Sequence, residues 1–405
     1  AYYNRANSYR DKNFLKKALN NYNEAYKLNP ALKDLFGNII STKNYLCDWK
    51  NYNEDIKYIE KKILNGSNIV NPFSILALID SPSLHQINIK NFIKSEQINE
   101  SNNYNFFLKN KVNSKIKLAY YSSDFRFHPV SHLLASVFEN HDRSLFELYA
   151  FSLTSHKKDE MTKRIENSFD HFIDVSSKSD DEIVKLSRDL SIDIAIDLMG
   201  YTKFNRFKIF FKKCAPIQIN YIGYSSTFGS NTMDYIVADK TVITDQLAKD
   251  YSEKIIYLPD TFMATDFKNI KLAKNLKRKD CNIPEDAFVF CSFNKQYKIN
   301  PKIFKVWMSL LKKIKKSVLW LKFTNPDAEK NIVNEAIKQS IDPNRIIFAK
   351  NKKLEDHLSR YQIADLFLDT YPYGAHTTCV DSIWAGLPVI TIKGNTFVSR
   401  VSSSL

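Results

Sequence analysis

The sequence of 405 residues has few cysteines and no long apolar run. Its five cysteines are scattered and show no C-x-x-C spacing, which argues against a disulfide framework or a zinc site and favours a reducing cytoplasm. No apolar run approaches the roughly 18 residues that a membrane helix needs, so we expect no membrane partner. The sequence also lacks G-x-G-x-x-G and Walker A motifs, which weighs against a dinucleotide oxidoreductase and a P-loop NTPase.

The chain has a net charge of +15, a value that raises the question of nucleic-acid binding. No zinc-finger, RRM or basic-zipper pattern accompanies the charge, and lysines spread along the chain are typical of a solvated surface. We therefore do not expect a nucleic-acid partner, although part of the charge could attract an anionic ligand. An apolar fraction of 44% and a length sufficient for two or three domains indicate a soluble globular protein.

The first thirty residues match the pattern of a tetratricopeptide (TPR) unit when Pro30 is placed at its terminal proline. A generic helical hairpin is the alternative explanation. One repeat cannot bury its own face and the chain begins inside it without an initiator Met, so we expect a piece of a longer protein. A helical region with a buried connector is predicted over residues 1–112. The small and aromatic residues that carry the repeat pattern are Tyr2, Ala6, Tyr9, Ala18, Tyr22 and Ala25.

Apolar runs of strand length alternate with helical patterns over the rest of the chain, which predicts α/β structure with parallel sheets and helices on both faces. The first α/β half is predicted over 113–258, a connector over 259–284 and a second half over 285–405. The predicted strands are Lys117–Tyr121, Leu148–Leu153, Ile192–Leu198, Ile217–Ile222, Tyr235–Ala238, Phe288–Phe293, Val318–Phe323, Ile346–Phe348, Leu366–Leu368 and Val389–Ile392. The predicted helices between them are Ser131–Glu139, Glu160–Ser168, Asp180–Leu190, Pro301–Lys313, Ala328–Gln339 and Leu354–Ala364.

The stretch Leu366–Thr391 has the pattern of a binding site for an anion. A buried strand ends in Asp369, a turn follows, and His376-Thr377-Thr378 open an amphipathic helix that closes before Gly386. Free N–H groups and the positive end of the helix dipole favour an anion above such a turn.

Other polar residues follow predicted strands, and ligands of such sheets bind at the carboxyl ends of the strands. His128 lies on the loop after the first strand, where a neutral imidazole could act as a general base or merely hydrogen-bond within the loop. Lys298 lies on the loop after the first strand of the second half and could neutralise a phosphate. Gly200–Thr202 and Gly223–Thr227 follow two further strands, where glycine permits close approach of the backbone to a ligand. Two such sheets suggest a nucleotide-sugar transferase.

Several motifs in order along the chain resemble the catalytic region of the protein O-GlcNAc transferases, in particular bacterial members with TPR repeats. The resemblance covers nearly the whole chain and implies a GT-B fold, in which two Rossmann-like domains face a cleft, here preceded by an all-α TPR-like segment. The motifs are SSDFRFHPVSH (Ser122–His132), GYT (Gly200–Thr202), APIQ (Ala215–Gln218), MDY (Met233–Tyr235), YSEK (Tyr251–Lys254), FN..YKI (Phe293–Ile299) and DTYPYGAHTT..D..WAG (Asp369–Gly386).

The resemblance implies inverting transfer of N-acetylglucosamine from UDP-GlcNAc to Ser or Thr hydroxyls of proteins, without a metal or another cofactor. By the family pattern, Lys298 contacts the diphosphate of the donor. His376, Thr377 and Thr378 hold the pyrophosphate at the helix start, and Asp381 holds the ribose.

The family pattern also assigns the base of the nucleotide and the general base of the reaction. By that pattern, His357 and Arg360 match the positions that bind on either side of the uracil, and His128 matches the histidine proposed as the general base. Three departures are visible: Lys295 stands where the animal enzymes have Gln, Leu354 stands where they have a Lys beside the uracil, and GYSST (Gly223–Thr227) replaces GYPGT.

Two alternatives remain beside the O-GlcNAc transferase. One is a SPINDLY-type protein O-fucosyltransferase that uses GDP-fucose, and the other is a TPR scaffold with a degenerate transferase half. The expected partners are a UDP-sugar donor and a protein acceptor that the TPR region could recruit. Family members continue well beyond residue 405, so we expect a truncated chain that could be inactive.

Overall fold

The structure, a computed structural model, describes residues 1–98, 114–266, 272 and 276–405. The chain divides into two compact units. The first, which we call the five-stranded unit, joins Ala1–Asn88 to the chain from residue 269 to Ser403, and the second, the seven-stranded unit, runs from Ile89 to residue 268. None of the described helices is long and apolar enough to span a bilayer.

Helices dominate the first hundred residues and then alternate with strands. Single-turn 3-10 segments occur at Ser74–Ala77, Leu247–Asp250, Arg278–Cys281, Gln296–Lys298, Pro343–Arg345, Arg360–Ile363 and Phe397–Ser399. The α-helices are α1 (Tyr2–Asp11), α2 (Leu15–Leu28), α3 (Leu35–Tyr45), α4 (Tyr52–Leu64), α5 (Pro82–Ser95), α6 (Pro129–Glu139), α7 (Glu160–Glu166), α8 (Asp180–Asp189), α9 (Lys208–Phe211), α10 (Pro301–Lys313), α11 (Pro326–Lys338), α12 (Leu354–Ser359), α13 (Thr377–Trp384) and α14 (Val401–Ser404).

Two wholly parallel sheets form the centres of the two units. The strands are β1 (Ile116–Ser122), β2 (Phe146–Ser152), β3 (His171–Asp174), β4 (Ile194–Asp197), β5 (Ile217–Asn220), β6 (Tyr235–Ala238), β7 (Lys254–Tyr257), β8 (Phe288–Ser292), β9 (Ser317–Leu321), β10 (Ile346–Phe348), β11 (Leu366–Leu368) and β12 (Val389–Ile390). The orders are β3-β2-β1-β4-β5-β6-β7 and β10-β9-β8-β11-β12. In both sheets the order reverses beside the first strand, and this reversal is where doubly wound folds bind ligands.

The five-stranded sheet is buried on both faces because successive side chains point to opposite sides. Phe290 of β8 belongs to the core cluster that α10 and α11 cover, whereas Val289 and Cys291 on either side of it belong to the cluster against α12 and α13. Pro301 opens α10 and the Asn300 side chain caps it by accepting from Lys302 N and Ile303 N.

The N-terminal helices pack against the five-stranded sheet's outer layer. Ala6 of α1 and Ala18, Tyr22 and Ala25 of α2 are buried, as the repeat pattern predicts for a close helix crossing. Between α3 and α4, Cys47 joins the core cluster of α10, and the Trp49 ring lies 5.4 Å from Phe304. The two helices are confirmed, whereas their assignment as a TPR unit stays a prediction.

The predicted alternation is confirmed at every strand that the sequence indicated, with ends shifted by at most two residues, and three strands have the predicted bounds: Tyr235–Ala238, Ile346–Phe348 and Leu366–Leu368. Two strands were missed: His171–Asp174 and Lys254–Tyr257 are four residues long, lie at the two edges of the sheet and have no buried residue. The helix predicted from Leu354 to Ala364 is wrong in its second half, because the chain tightens into a 3-10 segment at Arg360.

The predicted domain boundaries stay predictions. The boundary at residues 112 and 113 lies outside the described residues, as does part of the connector predicted over 259–284. The division between the two compact units falls inside α5.

Candidate functional site

The candidate donor site lies in the five-stranded unit, at the carboxyl ends of β8 and β11, where the strand order reverses. The loop after β8 carries Asn294 and Lys298, and the loop after β11 carries Asp369 and leads into α13. α13 begins at Thr377 with His376 as its N-cap residue, so the first N–H groups of the helix face this edge.

Lys298 is buried in this loop pair with an exposed fraction of 8%. Its Nζ donates to the Gly374 carbonyl at 2.9 Å and lies 3.9 Å from the centre of the Tyr373 ring. Burial lowers the pKa of Lys298 to about 7, although the negative charge of Asp369 opposes the shift. A buried amine without a carboxylate partner in hydrogen-bond contact is poised to gain an anion.

His376 lies beside the same lysine, with its ring 5.0 Å from Tyr373. Burial lowers the pKa of His376 well below its usual value, and the positive charge of Lys298 adds to the shift, while a hydrogen bond to Val398 opposes it. Within the described part of the chain, His376 Nε2 is buried and has no hydrogen-bond partner. The imidazole is therefore neutral and can gain a partner on ligand binding.

Asn294 fastens the start of α13 to the loop after β8. Its Oδ1 accepts from Thr378 Oγ1 at 2.5 Å, and its Nδ2 donates to Thr370 Oγ1 at 2.9 Å and to Asp369 Oδ1 at 3.2 Å. Asp369 Oδ1 also accepts from Ala375 N at 2.6 Å. These bonds hold the loop that precedes α13 in one conformation.

A second group of polar side chains lies around α12 and the 3-10 segment that follows it. Arg360 is only 1% exposed, and its Nη2 donates to the Lys350 carbonyl. Its Nε and Nη1, like His357 Nδ1, have no hydrogen-bond partner among the described residues. Burial lowers the pKa of His357 to about 3, and Lys322 and Arg360 contribute. Unpaired buried donors of this kind are rare unless a ligand satisfies them.

Asp381 on α13 is half-buried, and removal from water raises its pKa to about 7, against the opposing charge of Lys322. Lys322 follows β9 at the same sheet edge, and burial lowers its pKa together with the charges of Lys295 and Arg360. The charge of Lys322 affects the pKa values of Asp381 and His357, and the charge of Arg360 affects those of Lys322 and His357, so these four groups lie close together.

His128 belongs to the seven-stranded unit and caps α6. Its Nδ1 lies 3.4 Å from Asp124 Oδ2 and 3.4 Å from Val130 N. Burial lowers the pKa of His128, the carboxylate of Asp124 opposes the shift, and the charge of Arg126 adds to it. The imidazole is therefore neutral at pH 7, accepts from Val130 N at Nδ1 and is one-third exposed, with 34% of its side-chain surface accessible.

The two glycine motifs serve the packing of the loops after β4 and β5. Gly200 has a φ of +51°, and a Cβ there would lie 2.3 Å from Tyr224 Cβ. A Cβ on Gly223 would lie 1.8 Å from the Leu198 carbonyl oxygen. The close approach that these glycines permit is thus between neighbouring loops of the protein.

The sequence pointed to one wall of the donor site but missed several of its parts. Asn294 and Asp369 stood inside quoted motifs without a role, and Lys322 was not singled out. Lys322 lies inside the predicted strand Val318–Phe323, and a lysine near the carboxyl end of an otherwise apolar run is the signal that could have found it. No cluster of side chains suited to a metal ion occurs among the residues that the structure describes.

The family model for glycosyl transferase family 41 matches residues 46–279 and 273–405. Among curated proteins, the chain is 38% identical over 296 residues to a probable UDP-N-acetylglucosamine–peptide N-acetylglucosaminyltransferase, SEC, of Arabidopsis thaliana, covering 72% of this chain and 30% of that protein. It is 27% identical over 403 residues to the UDP-N-acetylglucosamine–peptide N-acetylglucosaminyltransferase of Caenorhabditis elegans, covering 72% and 35%. The chain thus spans about a third of the length of these relatives.

A mutant of the O-GlcNAc transferase of Thermobaculum terrenum has a similar solved structure, with a TM-score of 0.81 and 22% identity over 96% of this chain and 75% of that one. This likeness shows that the chain has the α/β GT-B fold of that protein. Together with the family model, which matches well over half of the sequence, it gives the conclusion that the chain belongs to glycosyl transferase family 41.

Proposed function

We propose that this chain is the catalytic part of an inverting glycosyltransferase that moves N-acetylglucosamine from UDP-GlcNAc to Ser or Thr hydroxyls of proteins. The acceptor oxygen attacks the anomeric carbon, the bond from that carbon to the β-phosphate oxygen breaks, and UDP leaves. The hydroxyl proton passes to a general base. The relatives named for this activity support the proposal.

The observation that carries the proposal is a set of buried nitrogen atoms in the five-stranded unit that have no hydrogen-bond partner among the described residues. They are Nε and Nη1 of Arg360, which follows α12, and Nε2 of His376 at the start of α13. The buried Lys298 lies on the neighbouring loop with a lowered pKa. A nucleoside diphosphate offers acceptors for the N–H groups of Arg360 and negative charge for Lys298, and the same charge would favour protonation of His376, whose Nε2 could then donate.

In this proposal, Lys298, His376, Thr377 and Thr378 bind the diphosphate. Charge develops on the leaving UDP in the transition state, and a fixed cation and helix N–H groups stabilise it more than they stabilise the bound donor. No metal is required for this charge compensation.

The nucleoside is assigned to the remaining polar groups of the same unit. We propose that Asp381 accepts from the ribose hydroxyls, and that Arg360 and His357 bind the uracil. The carbonyl oxygens of uracil are acceptors, which suits the unpartnered N–H groups of Arg360.

For the acceptor, we propose His128 as the general base. The lowered pKa keeps it able to take a proton near pH 7, and Asp124 lies where it would stabilise the imidazolium that forms. We also propose that α1 and α2 are part of a TPR array that recruits the protein acceptor in the cytoplasm.

Calorimetric titration with UDP and with GDP tests the nucleotide. We expect UDP to bind at least tenfold more tightly than GDP, and Arg360→Ala to weaken UDP binding. Tighter binding of GDP would instead favour a protein O-fucosyltransferase that uses GDP-fucose.

Intact-mass spectrometry of an acceptor protein incubated with the chain and UDP-GlcNAc tests the transfer. We expect a gain of one HexNAc mass that His128→Ala lowers by roughly a hundredfold or more in rate, with UDP affinity unchanged. His171→Ala, which removes an exposed histidine of the same unit, is the matched control. Undiminished transfer by His128→Ala would remove His128 from the role of base.

A further inference from the structure

Asp80, near the start of α5, accepts hydrogen bonds from two separate segments of the five-stranded unit. Tyr371 Oη donates to its Oδ2 at 2.8 Å. Further donors come from a turn at Asn395–Ser399, which we call the C-terminal turn: Asn395 N at 2.8 Å, Thr396 N at 2.9 Å, Thr396 Oγ1 at 2.7 Å, Ser399 Oγ at 2.8 Å and Asn395 Nδ2 at 3.2 Å. Burial raises the pKa of Asp80, but these hydrogen bonds, led by Thr396, outweigh burial and lower the pKa, so the group is a carboxylate at neutral pH.

Both segments that Asp80 holds lead directly to the candidate diphosphate site. The C-terminal turn carries Val398, whose carbonyl accepts from Gly374 N at 3.1 Å and takes a hydrogen bond from His376. Tyr371 begins the loop that contains Gly374, and the Gly374 carbonyl accepts from Lys298 Nζ. The positions of the buried lysine and of the N-cap histidine of α13 therefore depend on the two segments that this one carboxylate joins.

The close approach of the carboxylate requires glycine at position 394. A Cβ on Gly394 would lie 2.6 Å from Asp80 Oδ2 and 2.4 Å from Ser399 Oγ. Distances below 3.0 Å are essentially never observed for a real Cβ, so any other residue would push the carboxylate or the C-terminal turn away. The glycine at position 394 therefore permits the close contact between Asp80 and the C-terminal turn.

We propose that Asp80 is a positioning residue for the diphosphate of the donor. It touches no substrate itself; it fixes the loop from Tyr371 to His376 and the C-terminal turn in the conformation that presents Lys298 and His376 to the phosphates. The proposal rests on the proposed function, since it assumes that these two residues bind a diphosphate.

Comparing the affinities of the 405-residue chain for UDP and for uridine distinguishes a role of Asp80 in positioning the diphosphate site from a general effect on the stability of the fold. Asp80→Asn keeps the size of the side chain but turns an N–H group towards N–H and O–H donors, so both held segments lose partners. We expect Asp80→Asn to weaken UDP binding at least tenfold in calorimetry while uridine binding, followed by ligand-observed NMR, changes less than twofold. Tyr371→Phe, which removes one hydrogen bond, should weaken UDP binding in the same direction by a smaller factor.

Asp286→Asn is the matched control, because it removes an exposed carboxylate of the same unit whose ion pair among the described residues is with Lys316 at the surface. A variant of Asp80 that melts earlier but keeps the wild-type ratio of UDP to uridine affinity would overturn the proposal and leave the diphosphate site in place. If Asp80→Asn fails to fold, unchanged UDP affinity in Tyr371→Phe overturns it. Failure of the wild-type chain to bind UDP, by contrast, would overturn the proposed function and this proposal with it.

Discussion

In the candidate donor site, two ionisable side chains are removed from water, and their pKa values are shifted as a result. Lys298 has a pKa lowered to about 7 by burial, and Asp381 has a pKa raised to about 7 by burial. Both shifts favour the neutral forms, which is the expected state of ionisable groups removed from water without a bonded counter-ion. An anionic ligand beside Lys298 would raise its pKa again and favour the ammonium form.

Binding of UDP should therefore be linked to protonation of Lys298. The free amine loses its proton as the pH rises through about 7, whereas the bound diphosphate favours the ammonium form, so affinity is fully present below that pH and falls above it. We expect UDP affinity to drop by up to about tenfold per unit between pH 7 and 9, a range in which the terminal phosphate of UDP is already ionised.

Calorimetry in buffers of different ionisation enthalpy measures the linked proton directly. Wild-type protein should take up a proton on binding UDP at pH 8, and Lys298→Met should bind more weakly and without that uptake. A pH slope that persists in Lys298→Met would assign the linkage to another group.

Asp381 should lower the stability of the protein at neutral pH. Its folded pKa of about 7 lies above the unfolded value of about 3.9, so the folded state binds more protons between these values and the free energy of unfolding falls as the pH rises. Asp381→Asn removes this cost. The full shift corresponds to about 4 kcal/mol, and because the side chain is only half-buried we expect about half of it, about 2 kcal/mol of added stability at pH 8, which disappears below pH 4. Urea unfolding at several pH values checks the difference, and an equal stability of both proteins at pH 8 would contradict it. The same variant should bind UDP more weakly.

Among the secondary-structure elements, α13 depends on a hydrogen bond from its first turn. Thr378 Oγ1 donates to Asn294 Oδ1, and Asn294 is only 1% exposed. Thr378→Val leaves this buried carbonyl oxygen without a donor, which should cost about 1–3 kcal/mol of stability. Thr378→Ser keeps the hydroxyl and should restore most of it.

Thermal and urea unfolding of the three proteins measure the effect, with Thr324→Val as a control at an exposed threonine of the same unit. The loss in Thr378→Val should also appear as weaker UDP binding, since the start of α13 moves relative to the loop after β8. If Thr378→Ser is as unstable as Thr378→Val, the hydroxyl is not what holds the helix.

The elements with strong local signals were predictable from the sequence, and those that depend on distant partners were not. Pro301–Lys313 was predicted with its observed bounds, since an N-cap Asn, a Pro at the first position and an amphipathic pattern all agree. The strands at His171 and Lys254 are short edge strands without a buried residue, and the break at Arg360 interrupts a sequence pattern that predicts a continuous helix. Asp80 had no local signal at all, because its donors lie about 300 residues away in sequence.

For the whole molecule, the finding that the sequence did not anticipate is the integration of the N-terminal helices into the five-stranded unit. Asn331 Nδ2 of α11 donates to the Leu46 carbonyl at 2.8 Å, and Asn325 Nδ2 donates to the Asn13 carbonyl at 3.1 Å. Cys47 is buried in the same cluster as Phe304 of α10. These helices therefore share a core with the layer that supports β8 and β9.

If the core is shared, truncation of Trp49 should destabilise the N-terminal helices and the layer of α10 and α11 together. Its ring packs on Phe304 and its Nε1 has no hydrogen-bond partner in the part of the chain that the structure describes. Trp49→Ala leaves a cavity and should destabilise the unit by about 2–4 kcal/mol, less than a fully buried tryptophan because the side chain is half-exposed. Trp49→Phe keeps a ring on Phe304, loses no hydrogen bond and should cost about 1 kcal/mol. We expect amide hydrogen exchange in Trp49→Ala to become faster in α3, α4 and α10 together. Faster exchange confined to α3 and α4 would contradict this prediction, since it would mean that the N-terminal helices open independently of the layer that supports β8 and β9.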